Sequence, residues 1–253
     1  MPTSKVQLRY RKAVKKHLKP FYANWMPGQE RALGDYGTFK KGIFIRLGNI
    51  KDFGISFDEK IDNSLDDHNF SEGGSYSMQI IGGATAGDVG NASVEFKLES
   101  KSTVYFQALD AQSNEIENKV ELGKRLIEGL KNGSIEWNKK WVIITELVDA
   151  GRTIAAVALE NGASFELKAD VNVPAESLMT DASVELGFTK TKNVGYQVSG
   201  QKMQILLGLS RVKGWFKPTL QPERVGIRKS TIEDMPIGEP VFEQFTDDID
   251  AIE

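Results

Sequence analysis

The sequence of 253 residues contains no cysteine. That absence excludes disulfide bonds, thiolate metal ligands and cysteine nucleophiles, and it is typical of proteins that stay in a reducing compartment. The sequence also lacks any run of roughly 18 apolar residues, the length of a membrane-spanning helix, and its first residues lack the apolar core of a secretory signal. We therefore expect a cytoplasmic protein.

Histidine is nearly absent, because only His17 and His68 occur. A Ser-His-Asp triad or a histidine-rich metal site would have to be assembled from isolated groups. The sequence holds no GxSxG elbow, HExxH pair, kinase signature or phosphate-binding glycine motif, and the acidic stretch 58–74 lacks the aspartate spacing of a calcium loop. We predict no catalytic residue, no metal and no cofactor, hence no enzyme. An enzyme with a composite site, joining acids to His68 in a deep pocket, is a third hypothesis.

The N-terminal end of the chain lacks acidic residues, and the C-terminal end lacks basic ones. Residues 1–29 carry seven Lys or Arg and no acid, whereas eight acids and no base follow Lys229. The net charge is only −3, and the chain lacks an aromatic RNA-binding strand, so we expect no nucleic-acid partner. Because the two ends are complementary, the acidic end is expected to cover the basic end or a neighbouring sheet edge.

Residues 4–19 have the composition and the spacing of an amphipathic helix that ends at Pro20. Its apolar stripe faces away from a basic surface and consists of Val6, Tyr10, Ala13, Val14 and Leu18. Such a helix could lie on a sheet, on anionic lipid or on an acidic partner, and periodicity does not choose among these.

Alternating apolar and polar residues predict amphipathic strands in the middle of the chain. Over 93–99, Val94, Phe96 and Leu98 alternate with charged residues, and the pattern resumes over 104–108. These two segments predict one long hairpin.

A second hairpin is predicted over 153–173, with its turn at Asn161-Gly162, where both residues tolerate the positive φ of a type I′ turn. The alternation continues beyond this hairpin to about residue 188. Its apolar positions include Phe165, Leu167, Val184 and Leu186.

Helical spacing returns over 115–131, and Asn132-Gly133 supplies a left-handed stop. The apolar stripe of this helix is predicted to contain Ile116, Val120, Ile127 and Leu130. The dense β-branched run 141–148 then predicts the central strand of the sheet.

These elements predict an α+β fold with a twisted antiparallel sheet, amphipathic hairpins, a basic N-terminal helix and at least one further helix. We expect a single domain over 1–217 and an acidic tail over 218–253. The tail residues expected to keep the protein inactive are two apolar anchors and two acids, namely Phe242, Phe245, Asp247 and Asp248.

The order of elements resembles the gasdermin pore-forming domain over most of residues 4–217. The string Trp141-Val142-Ile143-Ile144-Thr145-Glu146-Leu147 is similar to the valine-rich VVTEV strand of that family, and the segment 200–207 looks like its closing strand. The resemblance implies membrane permeabilisation by a homo-oligomer, after a partner protease removes a short C-terminal inhibitory segment. Bacterial members carry a lipidated N-terminal cysteine, which this chain lacks, so lipidation is not implied.

A pore function assigns membrane contacts to two sets of residues and implies membrane association after activation. The cationic set would bind anionic lipid and consists of Arg11, Lys12, Lys15, Lys16 and Lys19. The lipid-facing set lies on strands that extend in the bilayer and consists of Val94, Phe96, Leu98, Phe165, Leu167, Val184 and Leu186. The alternate residues, which include Glu95, Lys97, Glu166 and Lys168, would face water.

A non-enzymatic binding or assembly subunit is the alternative function. In that case the amphipathic strands form a static, half-buried sheet, and the sheet edges and the first helix dock other chains. Any half-exposed antiparallel sheet shows the same alternation, so the sequence leaves both functions open.

Overall fold

The computed structural model describes residues 5–25, 29–81, 92–169, 173–174, 176–214, 240–247 and 249. Within this part of the chain the helices are α1 (Lys5–His17), α2 (Lys119–Asn132) and α3 (Ser177–Thr180), and a 3-10 helix spans Ile50–Phe53. Antiparallel strands account for most of the remainder, so the predicted α+β fold is confirmed.

In chain order the described strands are β1 (Tyr22–Ala23), β2 (Asp35–Lys40), β3 (Ile43–Asn49), β4 (Glu59–Ile61), β5 (Asp66–Glu72), β6 (Tyr76–Ile81), β7 (Ser93–Leu98), β8 (Val104–Ile116), β9 (Trp141–Ala158), β10 (Ala163–Ala169), β11 (Leu186–Lys192), β12 (Val194–Lys213) and β13 (Val241–Gln244). They form a large sheet and a small sheet. The small sheet has the order β11-β10-β7-β6, and the other strands belong to the large sheet.

The large sheet is built on the long strands β9 and β12, which pair along most of their length. Its main order is β1-β12-β9-β2-β3, and β8 also pairs with β9 and carries β4 and β5 on its other edge. The run 141–148 belongs to β9. Along this run, β9 pairs with β12 on one side and with β2 and β8 on the other. The prediction of a central strand at this position is therefore confirmed.

The small sheet consists of two hairpins that lie side by side. Strand β6 pairs with β7, β10 pairs with β11, and the β7–β10 pairing joins the two hairpins. Four chain connections join this sheet to the large one, namely β5 to β6, β7 to β8, β9 to β10 and β11 to β12. The connections from β7 to β8 and from β9 to β10 form two neighbouring corners, because β8 pairs with β9.

The pairing predicted for both hairpins is wrong. The segments 93–99 and 104–108, both fully described, do not pair with each other, because the chain turns the corner between the sheets there. The Asn161-Gly162 turn lies at the second corner, where the N–H of Gly162 donates to the carbonyl of Glu99. Alternation reports which face of a strand is buried and says nothing about its neighbour, so it could not predict the pairing.

The large sheet lies between α1 on one face and the small sheet on the other. Tyr10 and Val14 of α1 pack on β8, β9 and β12, which confirms the apolar stripe predicted for this helix. On the opposite face, Tyr105, Ile154 and Ala156 pack against the inward side chains of the small sheet. Apolar burial on both faces explains why the central strands read as continuous apolar runs.

The helix α2 covers another cluster of core residues, which lies at the end of the large sheet that contains β2 and β3. A helix over 115–131 was expected, and the observed one begins at Lys119 because β8 runs further than the spacing indicates. The stop at Gly133 is confirmed, since φ is 78° there. Leu122 is buried, whereas Val120 is 71% exposed, so Val120 is wrongly assigned to the apolar stripe.

Candidate autoinhibitory and membrane-contact site

The acidic tail contributes a strand to the edge of the large sheet. Strand β13 pairs antiparallel with β12, from Val241 opposite Lys213 as far as Gln244. The next N–H, that of Phe245, donates to the carbonyl of Leu209 at 2.8 Å. At Ser210 and Arg211, β12 therefore has a neighbouring strand on each side, and β13 covers its edge as far as Lys213.

Two aromatic rings anchor this strand to the core. Phe245 is buried, and its ring centre lies 5.5 Å from that of Tyr22 and 5.7 Å from that of Phe39. Phe242 packs on Gly123 of α2, where an added Cβ would lie 2.5 Å from the Cβ of Phe242. The tail therefore approaches α2 at a point where a larger residue than glycine would force a shift.

An ion-pair network joins the tail to β12. The guanidinium of Arg211 lies 2.9 Å from a carboxylate oxygen of Glu243 and 2.6 Å from one of Asp247. Burial by itself lowers the pKa of Arg211, but the hydrogen bonds to Asp247 and Glu243 outweigh it and raise that pKa. The hydroxyl of Tyr22 donates to the carbonyl of Asp247 at 2.6 Å. Asp248, also predicted to belong to this segment, lies outside the described residues.

The tail also reaches the surroundings of α1. Ile249 is buried, and its Cδ1 lies 3.2 Å from the point that a Cβ on Gly42 would occupy. The Cδ of Arg11 lies 3.3 Å from the same point. The tail thus contacts the sheet edge and comes close to a basic residue of the first helix.

The five cations predicted to contact a membrane divide into two groups. The exposed ones are Lys12, Lys16 and Lys19. Arg11 and Lys15 are 0% and 5% exposed, so the prediction that they share the exposed basic face is wrong. Lys15 donates to the carbonyl of Pro20 at 3.0 Å and lies over the ring of Tyr22. Arg11 and Lys15 directly follow Tyr10 and Val14 of the apolar stripe, so they lie at its border, and their long side chains pack against it.

The end of α1 is tied to the edge strand β5. The carboxylate oxygens of Glu72 lie 2.6 Å from Nζ of Lys16 and 2.7 Å from Nε2 of His17. The hydrogen bond from Lys16, followed by that from His17, lowers the pKa of Glu72. The His17 ring also stacks on Phe70, with 4.5 Å between ring centres. His17 thus has a structural role in attaching the helix.

The seven residues predicted to face lipid all lie in one cluster between the two sheets, and each is at most 4% exposed. The rings of Phe96 and Phe165 stack across neighbouring strands, with centres 4.7 Å apart. Glu95 and Lys97 point outward and are exposed, while Glu166 and Lys168 of β10 are partly exposed, so the predicted alternation of faces is confirmed. In this structure the apolar face contacts the large sheet.

The segment between β10 and β11 is held on the large sheet by polar side chains. Gln107, Arg152 and Gln201 donate to main-chain carbonyls of residues 179–184 over distances of 2.7 to 3.3 Å. Leu178 is fully buried beneath the same segment. Hydrogen bonds as well as apolar packing therefore attach the β10–β11 hairpin to the large sheet.

Sequence reasoning missed several residues of this site. Arg211 follows the apolar run 205–209 of β12, and its charge is opposite to that of the tail, which is a signal that could have identified it. The contacts of Tyr22 and Gly123 depend on residues more than a hundred positions away, and no local pattern marks them.

Within the described residues, no group of three His, Cys, Asp or Glu could hold a metal ion. Over the same part of the chain, no helix is both long and apolar enough to cross a membrane. The chain matches no protein-family model and no curated protein.

Proposed function

We propose that this chain is a membrane pore-forming effector of cell death or defence, of the gasdermin-like kind, held inactive by its C-terminal segment. The observation that carries the proposal is the docking of the acidic strand β13 on the edge of β12. An edge strand has one neighbour, so it can leave while the pairing behind it stays intact. A partner protease that cuts between Gly214 and Pro240 would separate β13 from β12.

Release of the tail would change three surfaces at once. The main-chain groups of β12 opposite β13 would lose their partners, and an unpaired edge is a template for another strand. The rings of Tyr22 and Phe39 would lose their contact with Phe245. Arg211 would lose both carboxylates that it binds. These changes favour association with other copies of the chain and with an anionic surface.

The two hairpins of the small sheet are the segments that would enter the bilayer. Each has an apolar face and a polar face, and its side chains pack on the large sheet. Chain connections join each hairpin to strands of the large sheet at both of its ends, so each could swing away while it remains attached to that sheet. Burial of a large apolar side chain is worth about 1.5–3 kcal/mol, and the hydrocarbon core of a membrane would replace most of that when the sheets separate.

The exposed cations of α1 would hold the protein at an anionic membrane. Each Lys or Arg near such a surface contributes about 1 kcal/mol. Lys12, Lys16 and Lys19 are exposed in the resting structure, where Lys16 also pairs with Glu72, whereas Arg11 is covered.

Liposome leakage tests the proposal. The full-length protein and a chain ending at Ser230 are compared on dye-loaded vesicles rich in phosphatidylserine and on vesicles of phosphatidylcholine alone. We expect leakage only from the anionic vesicles and only with the shorter chain. A shorter chain with Lys12, Lys16 and Lys19 changed to Gln is the matched control, and it should leak much less. Leakage by neither chain contradicts the proposal.

One observation favours the alternative function of a non-enzymatic assembly subunit. The apolar face of the small sheet is fully used in the core, which is the arrangement of a static sheet. Light scattering separates the two functions. A defined oligomer of full-length protein in plain buffer supports assembly, whereas a monomer that oligomerises only after tail removal and with lipid supports the pore.

A further inference from the structure

A buried cluster of hydrogen-bond donors lies where α1 meets the large sheet. Arg11 is fully buried, and no described residue accepts a hydrogen bond from any of its three guanidinium nitrogens. The hydroxyls of Tyr10 and Tyr196 are also buried without a hydrogen-bond partner in the part of the chain that the structure describes. Three nitrogens and two hydroxyls are therefore unsatisfied in one region.

Aromatic contacts hold these groups together. The Cζ of Arg11 lies 4.9 Å from the centre of the Trp25 ring. The ring centre of Tyr196 is 5.5 Å from that of Trp25 and 5.1 Å from that of Tyr10. Burial lowers the pKa of Arg11 to about 10, and the electrostatic influence of Tyr196 acts in the opposite direction. The cluster is thus continuous, from the guanidinium through Trp25 to both phenols.

Arg152, the other buried arginine among the described residues, has a different environment. Arg152 donates to the carbonyl of Val184 at 3.2 Å. Burial lowers the pKa of Arg152, and the nearby carboxylate of Asp181 acts against that lowering. The Nε and Nη2 of Arg152 also have no hydrogen-bond partner, so unsatisfied nitrogens are common to both arginines. Arg11 differs because, among the described residues, it has neither a hydrogen-bond acceptor nor a nearby carboxylate.

The chemistry of the cluster defines what it can bind. A guanidinium donates hydrogen bonds and never accepts them, and a phenol hydroxyl can donate one. A buried charge without a partner is costly, so the group that complements this cluster must be an acceptor with negative charge. The planar fork of arginine matches two oxygens of a phosphate, and Trp25 covers one face of that fork. A cationic ligand is excluded by the same reasoning.

We propose that Arg11, Tyr10 and Tyr196 form a binding site for a phosphate group, with Arg11 as its principal ligand. The phosphate could belong to free inorganic phosphate or to a phospholipid headgroup, and the second source rests on the proposed function whereas the first does not. Trp25 is half-buried and packs on the guanidinium, so in this proposal the phosphate enters past its ring. The site differs from the exposed surface of Lys12, Lys16 and Lys19, because its cation is enclosed.

Phosphate binding by the full-length protein in the absence of membrane tests the proposal. Thermal unfolding is followed in sodium phosphate and in sodium chloride of equal ionic strength, and the 31P signal is titrated with protein. Phosphate stabilises any folded protein by exclusion from its surface, so the comparison between variants decides the result. The matched pair is Arg11→Met and Lys12→Met, which remove neighbouring cations of the same helix.

We expect saturable stabilisation and 31P broadening for the wild type and for Lys12→Met. Arg11→Met should weaken phosphate binding by about tenfold or more, the effect of losing one charge-assisted hydrogen bond. Tyr196→Phe removes one hydroxyl with little loss of packing, so it tests the site even if Arg11→Met fails to fold, and it should weaken binding severalfold.

The source of the phosphate follows from a parallel titration with water-soluble dihexanoyl phosphatidic acid. A response to the phospholipid alone assigns the site to a headgroup, and a response to both assigns it to phosphate in general. Equal responses of wild type, Arg11→Met and Tyr196→Phe to both ligands would overturn the proposal. Vesicle leakage is not part of these measurements, so the pore function can fail while the phosphate site stands.

Discussion

At the scale of single residues, the docking of the tail depends most on Phe245. Its ring is buried against Tyr22 and Phe39, so Phe245→Ala removes a buried aromatic side chain. Such a truncation costs about 3–5 kcal/mol, and in this position the loss falls on the contact between the tail and the core. We expect the tail to undock, and limited proteolysis should then cut it much faster.

Val241→Ala is the matched control for that change. Val241 lies on the same strand and is 55% exposed, so its truncation should alter stability by no more than about 0.5 kcal/mol. Equal protease resistance of the wild type and Phe245→Ala would show that the aromatic contact does not hold the tail.

A second residue-scale prediction concerns Gly123, whose missing side chain leaves room for the tail. A Cβ at this position would lie 2.5 Å from the Cβ of Phe242, closer than real Cβ contacts. Alanine is also a better helix former than glycine by about 1 kcal/mol. We therefore expect Gly123→Ala to stabilise α2 itself while displacing β13.

Hydrogen exchange separates these two effects of Gly123→Ala. The amides of α2 should exchange at the wild-type rate or more slowly, while those of β13 should exchange faster. Val120→Ala, three residues earlier on an exposed face, should leave β13 unchanged. Slower exchange in both elements would contradict the steric argument.

At the scale of secondary-structure elements, the attachment of α1 to β5 should depend on pH. The pKa of Glu72 is lowered by its hydrogen bonds to Lys16 and His17, so it lies below the ordinary value of the unfolded chain. A lowered carboxyl pKa contributes stability above the unfolded pKa, and this contribution is lost as pH falls through the folded pKa. Below about pH 4 the end of α1 should therefore loosen.

Fluorescence of Trp25, isolated by changing the other tryptophans to Phe, can follow this loosening. Glu72→Gln should give at neutral pH the signal that the wild type gives only in acid, and it should flatten the pH profile between about pH 3 and 5. Glu59→Gln is the control on the neighbouring strand β4, whose contact with Lys51 is 3.9 Å long. An unchanged profile in Glu72→Gln would show that another group titrates.

Sequence predicted the faces of these elements better than their neighbours. The alternation through Val94, Phe96 and Leu98 identified the buried face because the period of a strand fixes it. The pairing of β7 with β10 and β6 could not be predicted, because it depends on where the chain turns between sheets. A one-dimensional pattern contains no information about that turn.

The candidate site was predictable to a similar extent. Charge asymmetry and two isolated aromatic residues correctly marked the tail as a segment with its own contacts. Helical spacing placed Arg11 and Lys15 on the polar face, but the apolar stripe is wide enough to cover both when other segments pack beside it. The Trp25 ring covers the guanidinium of Arg11, and Gly42 and Ile249, which lie further along the chain, come close to its side chain.

At the scale of the whole molecule, the large sheet is the platform on which the other parts are held. The small sheet, α1, α2 and the tail each pack on it, and the hydrogen-bonded edge of β12 is shared by β1 and β13. If the proposed function holds, the tail and the small sheet must both leave this platform. The tail is the smaller contact, so its release should come first.

That order can be tested by locking the tail in place. Lys213 and Val241 are paired across β12 and β13, and both are exposed. Paired residues of antiparallel strands have Cα atoms about 4.5–5.5 Å apart, within the range that a disulfide bridges. Because the chain has no cysteine, Lys213→Cys with Val241→Cys can form one disulfide and no other.

We expect this disulfide to make the proposed pore reversible by reductant. A specific protease site is inserted at Ser230 in the double variant and in each single-cysteine variant. After cleavage, the single variants should release dye from anionic vesicles at once, while the oxidised double variant should release it only when dithiothreitol is added. Because the cut and the lipid are the same in every sample, the difference reports the position of the tail alone. Leakage from the cleaved, oxidised double variant would mean that the pore forms with β13 still docked, and the edge of β12 would then have no part in the inhibition.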